Sequence, residues 1–353
     1  MTLDIEKSAD LIAYLQREGH IGPAEIPHVN VLQGGVSNKT VWVQRENGEA
    51  WVLKQALAKL RVKVDWFSDP ARVHREALGM RWLAQLAPPG RITQLVFEDT
   101  AHHVIAMQAV PQPHENWKTM LLAGQLDLDH VTQFGQLLGQ IHARSAERGD
   151  ALVPLFGDRT FFESLRLEPY YAYTAAQVPV ASAFITRLLH DTRATQLTLV
   201  HGDYSPKNVL VHAGQLILLD HEVIHFGDPA FDVGFSMTHL LSKAHHLRPQ
   251  RTAFLRAAQH YWRTYSTLLV QFDWAAALEP RAVRHTLACM LARVAGRSPL
   301  EYLEADARAR QQQLVLALMA EPPATMPALI DRLEDLLEGS MGLPGLQRKA
   351  KTQ

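Results

Sequence analysis

Residues His201-Gly-Asp-Tyr-Ser-Pro-Lys-Asn208 and, just beyond them, Leu218-Leu-Asp220-His-Glu222 decide how this chain reads. Between the two strings lie short apolar runs, Val209–His212 and Gln215–Leu219, patterned as a hairpin; Leu197–His201 reads as a strand leading in. Asp203 and Asn208 therefore sit in a tight loop after a strand, and Asp220 closes the hairpin. Phosphoryl transfer needs little covalent help. It needs an acceptor for a hydroxyl proton and oxygen ligands for magnesium. Asp203 suits the first task, Asn208 and Asp220 the second. Glu222 stands two residues past Asp220, so in extended chain both carboxylates point to one side. The pair suits one metal ion or two.

This pattern is similar to the signature of the aminoglycoside phosphotransferase, choline kinase and methylthioribose kinase superfamily: His-Gly-Asp, four residues, Asn, then a strand ending in Asp-x-Asp or Asp-x-Glu. Each position is filled here. The resemblance implies an α+β, two-lobed, protein-kinase-like fold. It implies ATP and Mg2+ as cofactors, and transfer of the γ-phosphoryl group to a hydroxyl of a small metabolite (a sugar or amino alcohol, methylthioribose-like among them) or an antibiotic. It also implies Asp203 as the catalytic aspartate and Asn208, Asp220 and Glu222 as metal ligands. Gly227-Asp-Pro-Ala-Phe-Asp232-Val-Gly234 follows at the family's usual place. Asp232, near a helix start, suits either a helix cap or an acceptor for backbone N–H groups of the catalytic loop. His201 reads as another loop-holding residue.

Working toward the N-terminus, residues 6–18 have helical spacing, and His28–Gln33, Thr40–Gln44 and Trp51–Gln55 read as strands. A helix is expected over 70–86, then strands at Ile92–Glu98 and His103–Gln108. The turn Gln33-Gly34-Gly35-Val36-Ser37-Asn38 lets backbone N–H groups approach phosphate oxygens. Lys54 closes an apolar strand, where a charge is unexpected without a task; neutralising the α- and β-phosphates is such a task. Glu76, on the following helix, is the candidate to orient it. The two prolines of Ala109–His114 mark an extended connector, and the backbone at Gln108–Val110 can meet an adenine edge. The expected layout is a nucleotide-binding lobe over 1–107, a hinge at 108–113, a helical lobe over 114–340 with the catalytic loop and acceptor site, and a flexible tail at 341–353.

Beyond the connector the chain reads as helical over 128–146, 181–194, 230–245, 250–270, 280–296, 304–320 and 326–338. The family usually reads its acceptor with this lobe. Residues 247–340 hold 11 arginines, no lysine and 10 acids, a balance that disfavours a polycationic antibiotic. Arg293 and Arg297 flank Gly296 at a helix end, where they suit either the helix dipole or an acceptor. Methylthioribose kinases resemble this stretch but place adjacent arginines before the glycine; Ala292-Arg293 stands here instead. Tyr204, beside Asp203, is a further acceptor candidate, and His225 and Trp117 are others at the cleft.

With 353 residues, 47% of them hydrophobic, and a formal net charge of −1, the chain is long enough for two lobes and carries no global field for nucleic acid or membrane. The single cysteine, Cys289, sits in an apolar run and reads as a buried thiol. His102–His103 and His245–His246 read as surface or loop pairs. No secretory signal or membrane span is visible, so the expected location is the cytoplasm and the expected state a monomer or homodimer. A protein kinase is a disfavoured rival, because no long activation segment fits between Asp220 and Asp232. Two alternatives stay open: an aminoglycoside or macrolide resistance phosphotransferase, and a non-catalytic nucleotide-binding protein.

Overall fold

The computed structural model describes residues 3–33, 35–61 and 65–339. Gly34 of the glycine turn and the 341–353 tail lie outside the described residues.

The first lobe is a five-stranded antiparallel sheet in the order β1-β2-β3-β5-β4: β1 His28–Val31, β2 Asn38–Gln44, β3 Ala50–Ala56, β4 Leu95–Asp99 and β5 Val104–Gln108. Period-two alternation sorts its side chains. Val41, Val43, Trp51 and Leu53 face one way, against Leu11, Tyr14 and Leu15 of helix α1, Ser8–Arg17. Val52 and Ala56 face the other way, against Val73, Ala77 and Met80 of helix α2, Arg72–Leu86. Lys54 shares the parity of Val52 and Ala56. Glu76 shares the helical stripe of Val73 and Met80. Two amphipathic periods therefore bring this cation and this anion together.

The second lobe is mainly helical, as expected, and one large core joins its helices. The helix Pro229–His246 runs through its centre, with nearly every side chain buried. Gly234 allows a neighbour to pass: a Cβ there would lie 2.4 Å from His285 Cβ on the helix Ala275–Ala295. Two small sheets carry the segment 198–227. Thr198–Val200 pairs with His225–Gly227, and Val209–His212 pairs with both Gln215–Leu218 and His114–Asn116. Residues 147–180, for which no element was expected, form short helices and a wide π-helical run, Glu163–Ala172. Pro154 and Pro169 lie inside these helices and interrupt the regular pattern.

Candidate active site

A cavity of about 850 Å³ lies between the lobes, with Lys54 and Asn38 on one wall and Asp203, Asn208, Asp220 and Glu222 on the other. The loop 201–208 enters it from the strand Thr198–Val200. Gly202 turns the chain at φ +77°, and a Cβ there would lie 2.9 Å from Val223 Cγ2. The buried Asp232 carboxylate then accepts the His201 N–H at 2.6 Å and the Gly202 N–H at 2.8 Å. Burial acts to raise its pKa, but His142 and the Gly202 N–H outweigh it and hold the carboxyl below its usual range. His201 Nδ1 accepts the Asp203 N–H at 3.1 Å. Burial keeps this imidazole neutral, as an acceptor must be. Both residues thus hydrogen-bond to backbone N–H groups of the 201–203 segment.

Asp203 is fixed through one oxygen. Oδ2 accepts from Asn208 Nδ2 at 2.7 Å and pairs with an Arg166 guanidinium nitrogen at 2.8 Å. Oδ1 has no hydrogen-bond partner among the described residues. Arg166 also donates through Nε to the Gly202 carbonyl at 2.8 Å. It comes from the π-helical run and was not a sequence candidate. An arginine in a segment without clean periodicity carries no local sign of a partner 37 residues away.

Lys54 Nζ lies 2.7 Å from Glu76 Oε1 and 2.9 Å from Asp220 Oδ1. Burial acts to lower the lysine's pKa, yet Asp220 and Glu76 outweigh it and hold the ammonium well above its ordinary value. Burial pushes Glu76 up to about 7 against the pull of Lys54. Burial acts to raise Asp220 too, but Lys54 and Lys207 hold it well below the carboxylate range. Asp220 adopts φ +67°, which turns the chain sharply after Gln215–Leu218.

That turn corrects one sequence expectation: the chain from Asp220 to Glu222 is not extended, so parity does not align the two carboxylates. Glu222 Oε2 instead accepts from Arg72 Nε at 3.1 Å and from Asn38 Nδ2 at 3.1 Å. Arg72, fully buried at the start of α2, also donates to the carbonyls of Ser68, Asp69, Leu57 and Ser37. It fastens the glycine turn to the second lobe, a role that its place on a helix did not reveal. Gly35 and Ser37 line the cavity beside it. At the connector the N–H groups of Gln108 and Ala109 are taken by the Gln94 and Ala50 carbonyls, at 2.8 and 2.9 Å. Of Gln108–Val110, only the Val110 N–H lacks a partner among the described residues.

Among the described residues no three His, Cys, Asp or Glu side chains cluster as a metal site. The donors do suit magnesium, which takes one or two protein oxygens and completes its shell with phosphate and water. The Asn208 side chain uses only its amide nitrogen in hydrogen bonds among the described residues, and Asp220 meets Lys54 through one oxygen.

Three acceptor candidates are corrected. Tyr204 is fully buried, stacked on Phe134 with centroids 4.3 Å apart, and donates to the Phe134 carbonyl at 2.7 Å. Next to Asp203 in sequence, it points into the core. Trp117 packs against Phe134 and His225 stacks on Phe162, both away from the cleft. Arg293 and Arg297 do line the cavity. Arg297 pairs with Glu168 at 3.1 Å and lies 5.1 Å over the Tyr173 ring. Cys289 is buried as expected, whereas His245, read as a surface or loop residue, lies buried in the helix Pro229–His246 near Gln311. No described helix is long and apolar enough to cross a membrane.

The model of a family described as "Phosphotransferase enzyme family" matches residues 28–279. The chain belongs to this family. Its members transfer phosphoryl groups to hydroxyl acceptors on small molecules, as the loop motif led us to expect. A methylthioribose kinase from Pectobacterium atrosepticum is 24% identical over 261 residues, which is 66% of this chain and 64% of that protein. The chain thus spans just under two thirds of that relative's length. Amicoumacin kinase, solved with AMP-PNP, Ca2+ and Ami, shares the fold at a TM-score of 0.56 and 15% identity, over 92% of this chain and 98% of that one. A macrolide 2′-phosphotransferase from Brachybacterium faecium does so at 0.50 and 18%, over 89% and 99%.

Proposed function

We propose that this phosphotransferase is an ATP- and magnesium-dependent kinase of a small metabolite alcohol, with Asp203 as its base. The observation that carries the reading is the contact of Lys54 Nζ with Asp220 Oδ1 at 2.9 Å, across the cleft that Asp203 also lines. Lys54, oriented by Glu76, holds the phosphates of the nucleotide. Asn208 and Asp220 would hold the magnesium, and Glu222, neutralised by Arg72, would support them from behind. Magnesium, when bound, supplies positive charge to the triphosphate oxygens. Gly35, Ser37 and Asn38 cover the phosphates, and Val110 offers its N–H to the base. Asp203 orients the acceptor hydroxyl through Oδ1. As the new oxygen–phosphorus bond forms, the bond to the β–γ bridging oxygen breaks and the nucleoside diphosphate leaves. The hydroxyl proton passes to Asp203.

The 24% identity to a methylthioribose kinase supports a metabolic acceptor over an antibiotic. A coupled ADP-release assay over sugars, hydroxy acids, amino alcohols, aminoglycosides and macrolides tests the reading. Release that needs magnesium, needs an alcohol and falls about 10³-fold in Asp203→Ala is expected. Magnesium–ATP binding without turnover of any alcohol would leave a non-catalytic nucleotide-binding protein instead.

A further inference from the structure

Past Asp203 the cavity is walled by Tyr170, Phe235, His239, Arg293 and the segment 298–301. Charge at this end is not balanced. Arg293 forms no ion pair among the described residues. Its Nη1 donates to Tyr170 Oη at 3.1 Å, to Ser298 Oγ at 2.8 Å and to the Ser298 carbonyl, all neutral groups. Its Nε is buried without a partner.

A second basic group stands just behind the wall. Lys243 is fully buried, and its ammonium donates only to the His239 carbonyl, at 3.3 Å, beside the Tyr302 ring. It too has no ion pair among the described residues. His239, one helical turn earlier, is 5% exposed and lines the cavity, and its ring makes no hydrogen bond among the described residues. Burial and the charges of Lys243, Arg293 and Lys118 keep that ring neutral. Burial, with Lys118, also draws Lys243 down to about 7.

The nearby acids act on these charges only from a distance and offset them in part. Glu301 is bound to Lys118 and is 61% exposed; Glu168 is bound to Arg297 and is 52% exposed. Burying a cation without a partner is costly, and a partner that arrives with the ligand removes the cost. A polycation would meet repulsion here.

We infer that the acceptor end takes an alcohol bearing an anionic group, of the hydroxy-acid class, with the anion on Arg293 and the hydroxyl on Asp203. The inference rests on the kinase reading for the place of the hydroxyl. It sets the acceptor apart from neutral sugars and from aminoglycosides.

Butyrate, butyramide and butylamine share a carbon skeleton and differ in charge. Each is titrated into protein saturated with ADP and magnesium, so that the phosphate end is filled, while the unfolding temperature is followed. Butyrate should raise that temperature, and the other two should not. Arg293→Met should raise the butyrate concentration at half effect about 10-fold. Lys243→Met, a swap of similar volume, should raise the unfolding temperature without ligand and blunt the butyrate response. Equal stabilisation by butylamine overturns the inference, and so does an identical butyrate response in wild type and Arg293→Met. A failure of ADP and magnesium to shift unfolding at all counts instead against the kinase reading underneath.

Discussion

At the phosphate end of the cleft Lys54, Arg72 and Arg166 each touch a carboxylate, whereas at the acceptor end Arg293 and Lys243 touch none. The first arrangement is complete before any ligand arrives. Its ion pairs set the positions of the groups that meet a triphosphate, so little reorganisation is left for the reaction. The second leaves positive charge in a low-dielectric wall, at a cost in stability that a bound anion would relieve. One end is preorganised by the protein, and the other is finished by its substrate.

The largest effect separates chemistry from binding. Asp203→Ala should lower turnover about 10³-fold, the range of a lost general base, while calorimetry finds magnesium–ATP affinity nearly unchanged. Residual turnover near wild type would remove Asp203 from the mechanism and leave the balanced end as mere architecture.

Next come two lysine replacements with opposite signs. Lys54→Met strands Glu76 and Asp220 and should cost about 3 kcal/mol of ligand-free stability, the low end for a broken buried pair. The low end applies because Glu76, already raised to about 7 by burial, can take up a proton. Lys243→Met removes a buried amine that pairs with no carboxylate, and should modestly stabilise the ligand-free protein, because burial has already drawn that amine down to about 7. Denaturant titration of both variants decides the matter: two losses of similar size would erase the contrast between the ends.

Arg166→Met tests the last of the paired cations. Asp203 would keep Asn208 but lose the guanidinium that fixes Oδ2, so kcat should fall about 10- to 100-fold with KM for ATP unchanged. Lysine at 166 should restore part of the loss. An equal fall in stability and in nucleotide affinity would mark Arg166 as scaffold only.

What was legible in the sequence follows the same division. Asp203, Asn208 and Asp220 lie within one loop and hairpin, and short spacing constrains them. Lys54 and Glu76 were legible because a charge within an apolar alternation is anomalous. Arg72 and Arg166 were not, since an arginine on a helix reads as a solvated charge. Their partners are 150 and 37 residues away, and only the packed fold brings them close. Tyr204 misled for a related reason. Nearness to Asp203 says nothing about side, and the tight turn after Gly202 sends neighbouring side chains in opposite directions. The unpaired state of Arg293 is a statement about its surroundings, which no local string contains.

The smallest effect concerns acid. In the second lobe, burial draws His225 down to about 4, His245 to about 4 and His285 to about 3, so the folded protein holds all three neutral. The same side chains titrate near 6.5 in the unfolded chain. Between pH 6.5 and about 4 the unfolded chain therefore binds more protons than the folded one. Stability from these groups is present above 6.5 and falls as the pH drops through that window, by at most about 1.4 kcal/mol per pH unit for each histidine. The paired carboxylate Asp220 is held well below its usual range and keeps its charge throughout that window. Acid should thus weaken the helical lobe while the Lys54–Asp220 contact keeps its charge, although Glu76, raised to about 7, takes up its proton first. His225→Phe keeps the stack on Phe162 and removes one titrating group, so the slope of unfolding free energy against pH should flatten by about one proton. An unchanged slope would mean that His225 is already charged in the folded state and that the second lobe does not depend on keeping its buried bases neutral.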